Sequence, residues 1–186
     1  MVYTLITALF ILVLPNTNQS LAASRLSSKK QALEYQIKAV YLYNFIRFIK
    51  ISNTQSNQLS SSIKICILGK DPFKSAAELI EAKKLQGRSL QVSKIPSGGT
   101  IDGCHVVFFS KSERNHIDDL LSAIKHTGIL TVGDMPQFAK RGGIIGFVIK
   151  NKKVRLEINI DAAKREGLKI SANLLEVATI IHKGGE

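Results

Sequence analysis

Asp71 and Asp134 are the residues of this chain whose type and position best suit a binding site. Each follows a short apolar run with strand-forming character, in the segments LGKDPF and TVGDMP. In open α/β sheets, ligands bind beyond the carboxyl ends of the strands, so these two carboxylates could line a small-molecule pocket there. The simpler interpretation is turn and helix-cap chemistry, in which Asp is also favoured. The sequence leaves both interpretations open.

Signatures of catalysis and metal binding are missing from the sequence. The four histidines have no metal-like spacing with another ligand, and there is no CxxC pair, GxSxG elbow, GxGxxG or phosphate-binding loop. We therefore predict that the protein is not an enzyme. We also expect it to have no catalytic residues, no metal and no cofactor.

Cys66 and Cys104 are the only two cysteines in the chain. An even count in an exported protein indicates a disulfide, and each cysteine lies in an apolar run that neighbouring strands could bring together. Closing a loop of roughly 40 residues would stabilise the fold by about 4 kcal/mol. Two buried free thiols are the alternative.

The N-terminus has the features of an export signal. Residues 1–22 carry no charged side chain, and Leu5–Leu14 is an apolar run that Pro15 ends. The run is too short to cross a bilayer, which takes roughly 20 residues. Ser20 and Ala22 suit signal peptidase, so we predict cleavage after Ala22. No Lys or Arg precedes the apolar run, which leaves an uncleaved anchor or a buried helix as alternatives.

The chain is strongly basic, with 26 Lys and Arg against 14 Asp and Glu and a formal net charge of +12. Export makes nucleic acid an improbable partner, so we predict none. An exported basic protein more readily meets anionic lipid headgroups, acidic polymers or an acidic protein. A soluble basic surface without a specific partner explains the charge equally well.

The elements that position these residues are predicted to alternate between strand and helix. Strands are predicted over 63–68, 90–95, 105–109 and 129–132, with helices over 72–84 and 112–126. Asp71 is expected to cap the first of these helices. The repeated units predict an α/β fold, a Rossmann-like open and mostly parallel sheet with helices on both faces and an antiparallel hairpin at one edge.

The C-terminal part is predicted to form a hairpin, with arms over 144–149 and 153–160, followed by two helices. Asp161 is expected to cap the first helix. Ser171 is expected to cap the second, whose apolar face is Leu174, Leu175, Ala178 and Ile181. The predicted organisation is a signal peptide at 1–22, a polar segment at 23–33, and one α/β domain at 34–182.

The first long helix is predicted over 31–51 and is unusually rich in apolar residues. Its stripe is Leu33, Ile37, Val40, Tyr41, Phe45, Phe48 and Ile49. Tyr43 lies on another side, so apolar surface wraps around much of the helix. A helix of this kind can contact another chain as well as its own core. The candidate dimer or partner surface is Tyr41, Tyr43, Phe45 and Phe48.

Several segments in a fixed order resemble the YfiR-like family of bacterial periplasmic proteins. They are EYQIKAVYLYNFIRFI (34–49), IKICILGKDPF (63–73), GCHVVFFSKSE (103–113), TVGDMPQFAKRGGIIGFVI (131–149) and VRLEINIDAAKREGLKIS (154–171). Each segment alone is weakly specific, whereas their order and spacing together are strong. The resemblance covers about 34–181.

The resemblance implies an exported α/β domain that is often a homodimer. It also implies that the protein binds the periplasmic region of an inner-membrane diguanylate cyclase and represses it, which lowers cyclic di-GMP and biofilm formation. Cys66 and Cys104 stand where a family disulfide would lie, whereas a second pair of some relatives is absent. A small-molecule binding protein that feeds a membrane sensor, with its pocket near Asp71 and Asp134, is the alternative.

Overall fold

The computed structural model of the chain describes residues 17–50 and 62–182, with side chains from residue 23 onward. It divides into two compact units, Met1–Gln31 and Ala32–Glu186. The side-chain contacts described below belong to the second unit. Most of the predicted signal peptide, and residues 51–61, lie outside the described residues. Cleavage after Ala22 therefore stays a prediction.

The described chain forms five α-helices and ten strands. The helices are α1 (Thr17–Phe48), α2 (Glu78–Glu81), α3 (Ile117–Ala123), α4 (Ile160–Arg165) and α5 (Ala172–Glu176). The strands are β1 (Ile49–Lys50), β2 (Ser62–Leu68), β3 (Lys84–Leu85), β4 (Arg88–Ile95), β5 (Val106–Phe109), β6 (Leu130–Gly133), β7 (Ile145–Lys150), β8 (Lys153–Asn159), β9 (Lys169–Ile170) and β10 (Ala178–Ile181).

Eight strands form one mostly parallel sheet in the order β10-β8-β7-β6-β5-β2-β4-β3. Only the β7–β8 and β3–β4 pairs are antiparallel. The central strands β5 and β6 are buried at every position, as expected for parallel strands covered on both faces. The predicted α/β fold is confirmed. β1 and β9 form a separate antiparallel pair.

Helices cover both faces of this sheet, and the alternation along the strands separates two cores. Phe108 points into the larger core, which includes residues of α1, α2 and α4. Its neighbour Phe109 points into the smaller core with Ile117 and Leu121 of α3. Successive residues of a strand face opposite sides, so one short apolar run supplies both cores.

The apolar stripe predicted for α1 is only partly buried. Its buried apolar residues are Tyr35, Ala39, Leu42, Phe45 and Ile46. Leu33, Ile37 and Val40, which belong to the predicted apolar stripe, are 58%, 41% and 52% exposed. The helix is apolar around most of its circumference, so periodicity did not determine which side packs on the sheet.

The helix predicted over 72–84 is broken into smaller pieces. A 3-10 turn at Lys74–Ala77 leads into the single turn of α2, and the chain then becomes β3. Gln86 and Gly87 have positive φ angles of 51° and 80°, which closes β3 and β4 into a hairpin. The helix predicted over 112–126 is likewise a 3-10 turn, Lys111–Glu113, followed by α3.

The C-terminal elements differ from expectation at three points. Asn159, and not Asp161, caps α4, because its side chain accepts a hydrogen bond from the Ala162 N–H at 2.8 Å. Ser171 caps α5 as predicted. However, α5 ends at Glu176, and the β-branched run that follows becomes β10, which pairs in parallel with β8. The hairpin therefore lies one strand inside the edge of the sheet.

Candidate functional site

The carboxyl ends of four parallel strands meet in one row. The register aligns Ile95, Leu68, Phe109 and Gly133, so the next row is Pro96, Gly69, Ser110 and Asp134. After β4 the chain crosses β2 to form β5, and the loops after β2 and β5 therefore lead away to opposite sides. Such a switch point is where open α/β sheets bind ligands.

Asp134 is the centre of a buried polar cluster at this row. Its Oδ2 accepts hydrogen bonds from the Tyr35 hydroxyl at 2.6 Å and from Lys38 Nζ at 2.7 Å. Lys38 Nζ also donates to Glu34 Oε1 at 2.5 Å. The side chains of Lys38 and Asp134 are only 2% and 1% exposed, so the pair is almost completely withdrawn from water.

Helix periodicity places these partners on one side of α1. Glu34 and Lys38 are four residues apart and Tyr35 and Lys38 three apart, which are the spacings of neighbours on a helix surface. Lys38 Nζ also lies 4.3 Å from the centroid of the Tyr35 ring. Burial, followed by the hydrogen bond and charge of Asp134, raises the pKa of Tyr35 above its ordinary value. The phenol therefore stays protonated and continues to donate to Asp134.

A second buried acid, Glu113, organises the loops on the other side of the switch point. Its Oε1 accepts hydrogen bonds from the Ser97 hydroxyl at 2.6 Å and the Ser112 hydroxyl at 2.7 Å. Ser112 Oγ in turn accepts the Lys70 N–H at 3.0 Å. The loops after β2, β4 and β5 are thereby joined through one carboxylate.

Replacing Gly69 with alanine should lower the free energy of unfolding by about 2–3 kcal/mol, from backbone strain and lost hydrogen bonds. Gly69 has a φ of +89°, and an added Cβ would overlap the Glu113 carboxylate and the Ser112 hydroxyl. Gly98 is the matched control, because its φ is +77° but no atom lies within 4 Å of an added Cβ.

Urea denaturation of Gly69→Ala and Gly98→Ala measures the difference. The control should lose about 1 kcal/mol, from backbone strain alone. Equal losses in the two variants would show that contact with Glu113 and Ser112 does not constrain this loop.

Asp71 has the turn role that was its simpler interpretation. Its Oδ1 accepts the Phe73 N–H at 2.8 Å, and its Oδ2 lies 2.9 Å from Lys94 Nζ. The Phe73 ring packs edge-on against Tyr35 at 5.3 Å between centroids. Asp71 and Asp134 are therefore linked through packed neighbours rather than by direct contact, and their role in a pocket stays a prediction.

Two buried polar atoms of the row lack a hydrogen-bond partner in the described structure. They are the Ser110 hydroxyl oxygen and Asp134 Oδ1. Ser110 and Asp134 follow the paired residues Phe109 and Gly133, so they are neighbours across β5 and β6. Lys111 Nζ lies 3.8 Å from Asp134 Oδ2, and its side chain is 59% exposed. The row therefore combines unused hydrogen-bonding capacity with one solvent-facing cation.

The predicted aromatic surface divides into buried and partly exposed members. Phe45 is fully buried and stacks on Phe147, so it offers no surface to a partner. Tyr41, Tyr43 and Phe48 are partly exposed while packing against the core. The Arg47 guanidinium lies over the rings of Tyr43 and Phe48, at 5.9 and 5.7 Å from their centroids. A partner role for these three residues stays a prediction.

The two cysteines form a disulfide within the smaller core. Cys66 lies in β2 and Cys104 just before β5, with their Cα atoms 5.9 Å apart. Both are buried, at 0% and 1% exposure. The bond links strands on the α3 side of the sheet, away from the face on which Asp134 meets α1.

Sequence reasoning found Asp134 but missed the residues that surround it, notably Lys38 and Tyr35. The sequence did contain a sign that Lys38 is buried. It lies on the same side of the helix as the apolar residues Tyr35, Ala39 and Leu42, and Glu34 lies one turn before it. Glu113 had no comparable signal. Its burial depends on loops that come together only in the folded sheet.

Within the described ranges, every helix is too short or too polar to span a bilayer. The same part of the chain holds no group of three or more His, Cys, Asp or Glu side chains that could bind a metal ion.

Comparison with known proteins gives a family match and a fold match. A family model described as YfiR/HmsC-like matches residues 35–179. The ABC domain in complex with L-Trp from Streptococcus pneumonia has a TM-score of 0.54 at 13% identity, over 75% of this chain and 59% of that one. A conserved domain protein from Vibrio cholerae O1 biovar El Tor has a TM-score of 0.44 at 16% identity, over 68% and 58%. This chain therefore spans less than two thirds of either structure.

Proposed function

The chain belongs to the YfiR/HmsC-like family, and on that premise we propose that it is a non-enzymatic regulator of a membrane signalling protein. Proteins of this family are periplasmic regulators of diguanylate cyclases. The observation that carries the proposal is the match over residues 35–179, which includes the C-terminal part of α1, strands β1 to β9, and Tyr35, Lys38 and Asp134. The partner is an inner-membrane diguanylate cyclase, bound through its periplasmic region.

Regulation of this kind requires a difference in affinity between two states of the partner. A protein that binds the inactive cyclase more tightly than the active one shifts the population towards the inactive state. Repression therefore needs only a binding surface, in keeping with the lack of a catalytic motif. Lower cyclic di-GMP and less biofilm would follow.

The disulfide supports an extracytoplasmic setting, and the net charge is compatible with one. The disulfide between Cys66 and Cys104 suits an oxidising compartment such as the periplasm. The net charge of +12 suits the neighbourhood of anionic surfaces. Both agree with export by the predicted signal peptide.

The exposed side of α1 is the proposed contact surface for the partner or for a second copy. Leu33, Ile37 and Val40 form an apolar stripe at successive helical turns, and all three are exposed. An apolar stripe facing water is favourable only when another surface covers it. The Lys38–Asp134 pair anchors the opposite side of the same helix turns to the sheet.

Deleting the gene should raise cyclic di-GMP and biofilm, and complementation with the wild-type gene should restore both. A triple variant, Leu33→Ser, Ile37→Ser and Val40→Ser, should still fold, because only exposed apolar groups are removed. It should fail to restore the wild-type levels of cyclic di-GMP and biofilm, because the proposed contact surface is lost. Mass-spectrometric quantification of cyclic di-GMP is the measurement. Unchanged cyclic di-GMP in the deletion strain would rule out a cyclase as the partner.

A second candidate function is binding of a small molecule at the carboxyl edge of the sheet. It is favoured by the unpartnered Ser110 hydroxyl and Asp134 Oδ1, which lie side by side where sheets of this class bind ligands. One solved structure of similar fold is a complex with L-Trp, so L-Trp is a suitable first probe. Thermal-shift screening with L-Trp and other metabolites should show stabilisation that Ser110→Ala abolishes. Equal stabilisation of the variant would place the ligand elsewhere.

A further inference from the structure

The hairpin between β7 and β8 extends beyond the rest of the sheet. β7 pairs with β6 only at Ile145 and Gly146, and β10 pairs with β8 only from Leu156 onward. Between these points the two strands pair only with each other, up to the turn at Asn151 and Lys152. We call residues 149–155, which end this two-stranded arm, the basic tip.

The basic tip carries four cations and no acid. Lys150, Lys152, Lys153 and Arg155 are all exposed. Within the described residues, no carboxylate forms an ion pair with any of them. Their charges are therefore available to an external partner.

The opposite side of the basic tip is apolar. Ile149 and Val154 are directly paired across the two strands, so their side chains share one face. Ile149 is 54% exposed, which is unusual for a β-branched residue in a strand. The arm thus presents a small apolar surface on one face and positive charge on the other face and at the turn.

Three features of the basic tip lower the stability of the protein when nothing is bound to it. Lys152 has a φ of 60° in a turn whose two central residues both have positive φ, where glycine is preferred at the second position. Lys150 and Lys153 are paired directly across the strands, which brings like charges together. Ile149 leaves apolar surface in water. A surface with negative charge above an apolar layer would remove the last two costs. Its charges would attract Lys150 and Lys153, and its apolar layer would cover Ile149.

We propose that the basic tip docks on the anionic surface of a phospholipid bilayer. Lysine and arginine near such a surface are attracted to its phosphates, and a neighbouring apolar group can enter the boundary below the headgroups. A stable protein partner buries about 800 Å² per side, more than one hairpin tip supplies. The assignment goes beyond the proposed function, because lipid binding by the purified protein requires no cyclase.

Vesicle co-sedimentation with protein purified from the periplasmic fraction tests the assignment. The wild type should bind phosphatidylcholine vesicles that contain phosphatidylglycerol, and should not bind phosphatidylcholine alone. Because each lysine near the surface contributes about fivefold, the variant Lys150→Gln, Lys152→Gln and Lys153→Gln should bind roughly 100-fold more weakly. Added salt should weaken the wild-type binding.

A matched control separates the local site from net charge. Lys83, Lys125 and Lys140 are exposed lysines on other parts of the domain, so changing all three to glutamine removes the same total charge. This control should keep most of the wild-type affinity. Equal weakening of both triple variants, or no binding of the wild type to anionic vesicles, would overturn the assignment. The second result would direct the search to an acidic protein.

The single change Lys152→Gly adds an internal check on folding. It places glycine at the positive φ, so Tm should rise by about 2–4 °C. Binding to anionic vesicles should fall by about fivefold in the same variant. Weaker binding in a more stable protein cannot be attributed to misfolding, whereas unchanged binding would contradict a role for Lys152.

Discussion

Replacing Lys38 with methionine should lower the free energy of unfolding by about 3–5 kcal/mol. Methionine fills a similar volume on the helix but leaves the Asp134 carboxylate, whose side chain is 1% exposed, with only the more distant Lys111, at 3.8 Å, as a cation. The Tyr35 hydroxyl carries no charge, and Lys111 is 59% exposed and beyond hydrogen-bonding distance, so neither replaces the lost ion pair. Urea denaturation followed by circular dichroism measures the loss.

An exposed ion pair of the same protein provides the control. Arg141 forms a two-nitrogen contact with Asp118, whose side chain is 68% exposed. Arg141→Met also replaces a cation by methionine, but its partner remains in water. This variant should lose no more than about 1 kcal/mol.

A double variant separates loss of charge from loss of packing. In Lys38→Met with Asp134→Asn, no charge remains on either residue, and the amide oxygen can still accept the Tyr35 hydroxyl. The double variant should therefore recover much of the stability that Lys38→Met loses. If its loss equals or exceeds the sum of the two single losses, the buried charge is not the cause.

The general fold could be predicted from the sequence because its strands are short apolar runs separated by clear turn signals. Runs such as those of β5 and β6 supply both faces of a parallel sheet, and few other structures accommodate them. The elements that differed were those decided by tertiary contacts. The run 178–181 can continue a helix by local pattern, but it lies beside β8 and pairs with it.

The candidate site could be predicted only in part, for a related reason. Asp134 follows a strand, so its position at the sheet edge could be inferred from the order of elements. Lys38 lies 96 residues earlier in the chain and meets Asp134 only when α1 docks on the sheet. A lysine on a helix is ordinarily solvated, so its burial cannot be inferred from local pattern.

For the basic tip, the turn itself could be predicted from the sequence, but its position relative to the neighbouring strands could not. The segment Lys150-Asn151-Lys152 predicted a hairpin turn, and the structure confirms it. That the turn lies beyond β6 and β10 follows only from the strand register. The positive φ of Lys152 makes lysine less stable than glycine at this position of the turn.

Removing the disulfide with Cys66→Ala and Cys104→Ala should lower the free energy of unfolding by about 4 kcal/mol. The bond closes a loop with a sequence separation of 38. Without it, the unfolded chain regains the conformational freedom of that loop. Domains of this size have stabilities of about 5–15 kcal/mol, so the loss is a large part of the total.

Wild-type protein treated with a reductant distinguishes the crosslink from packing. Its two thiols fill the space that alanines would leave empty beside Leu68 and Val107 in the smaller core. If the crosslink provides the stability, reduced wild-type protein should lose nearly as much as the double alanine variant. The remaining difference, about 1 kcal/mol, would measure the lost packing. A reduced protein as stable as the oxidised one would show that the folded sheet holds these strands together without the bond.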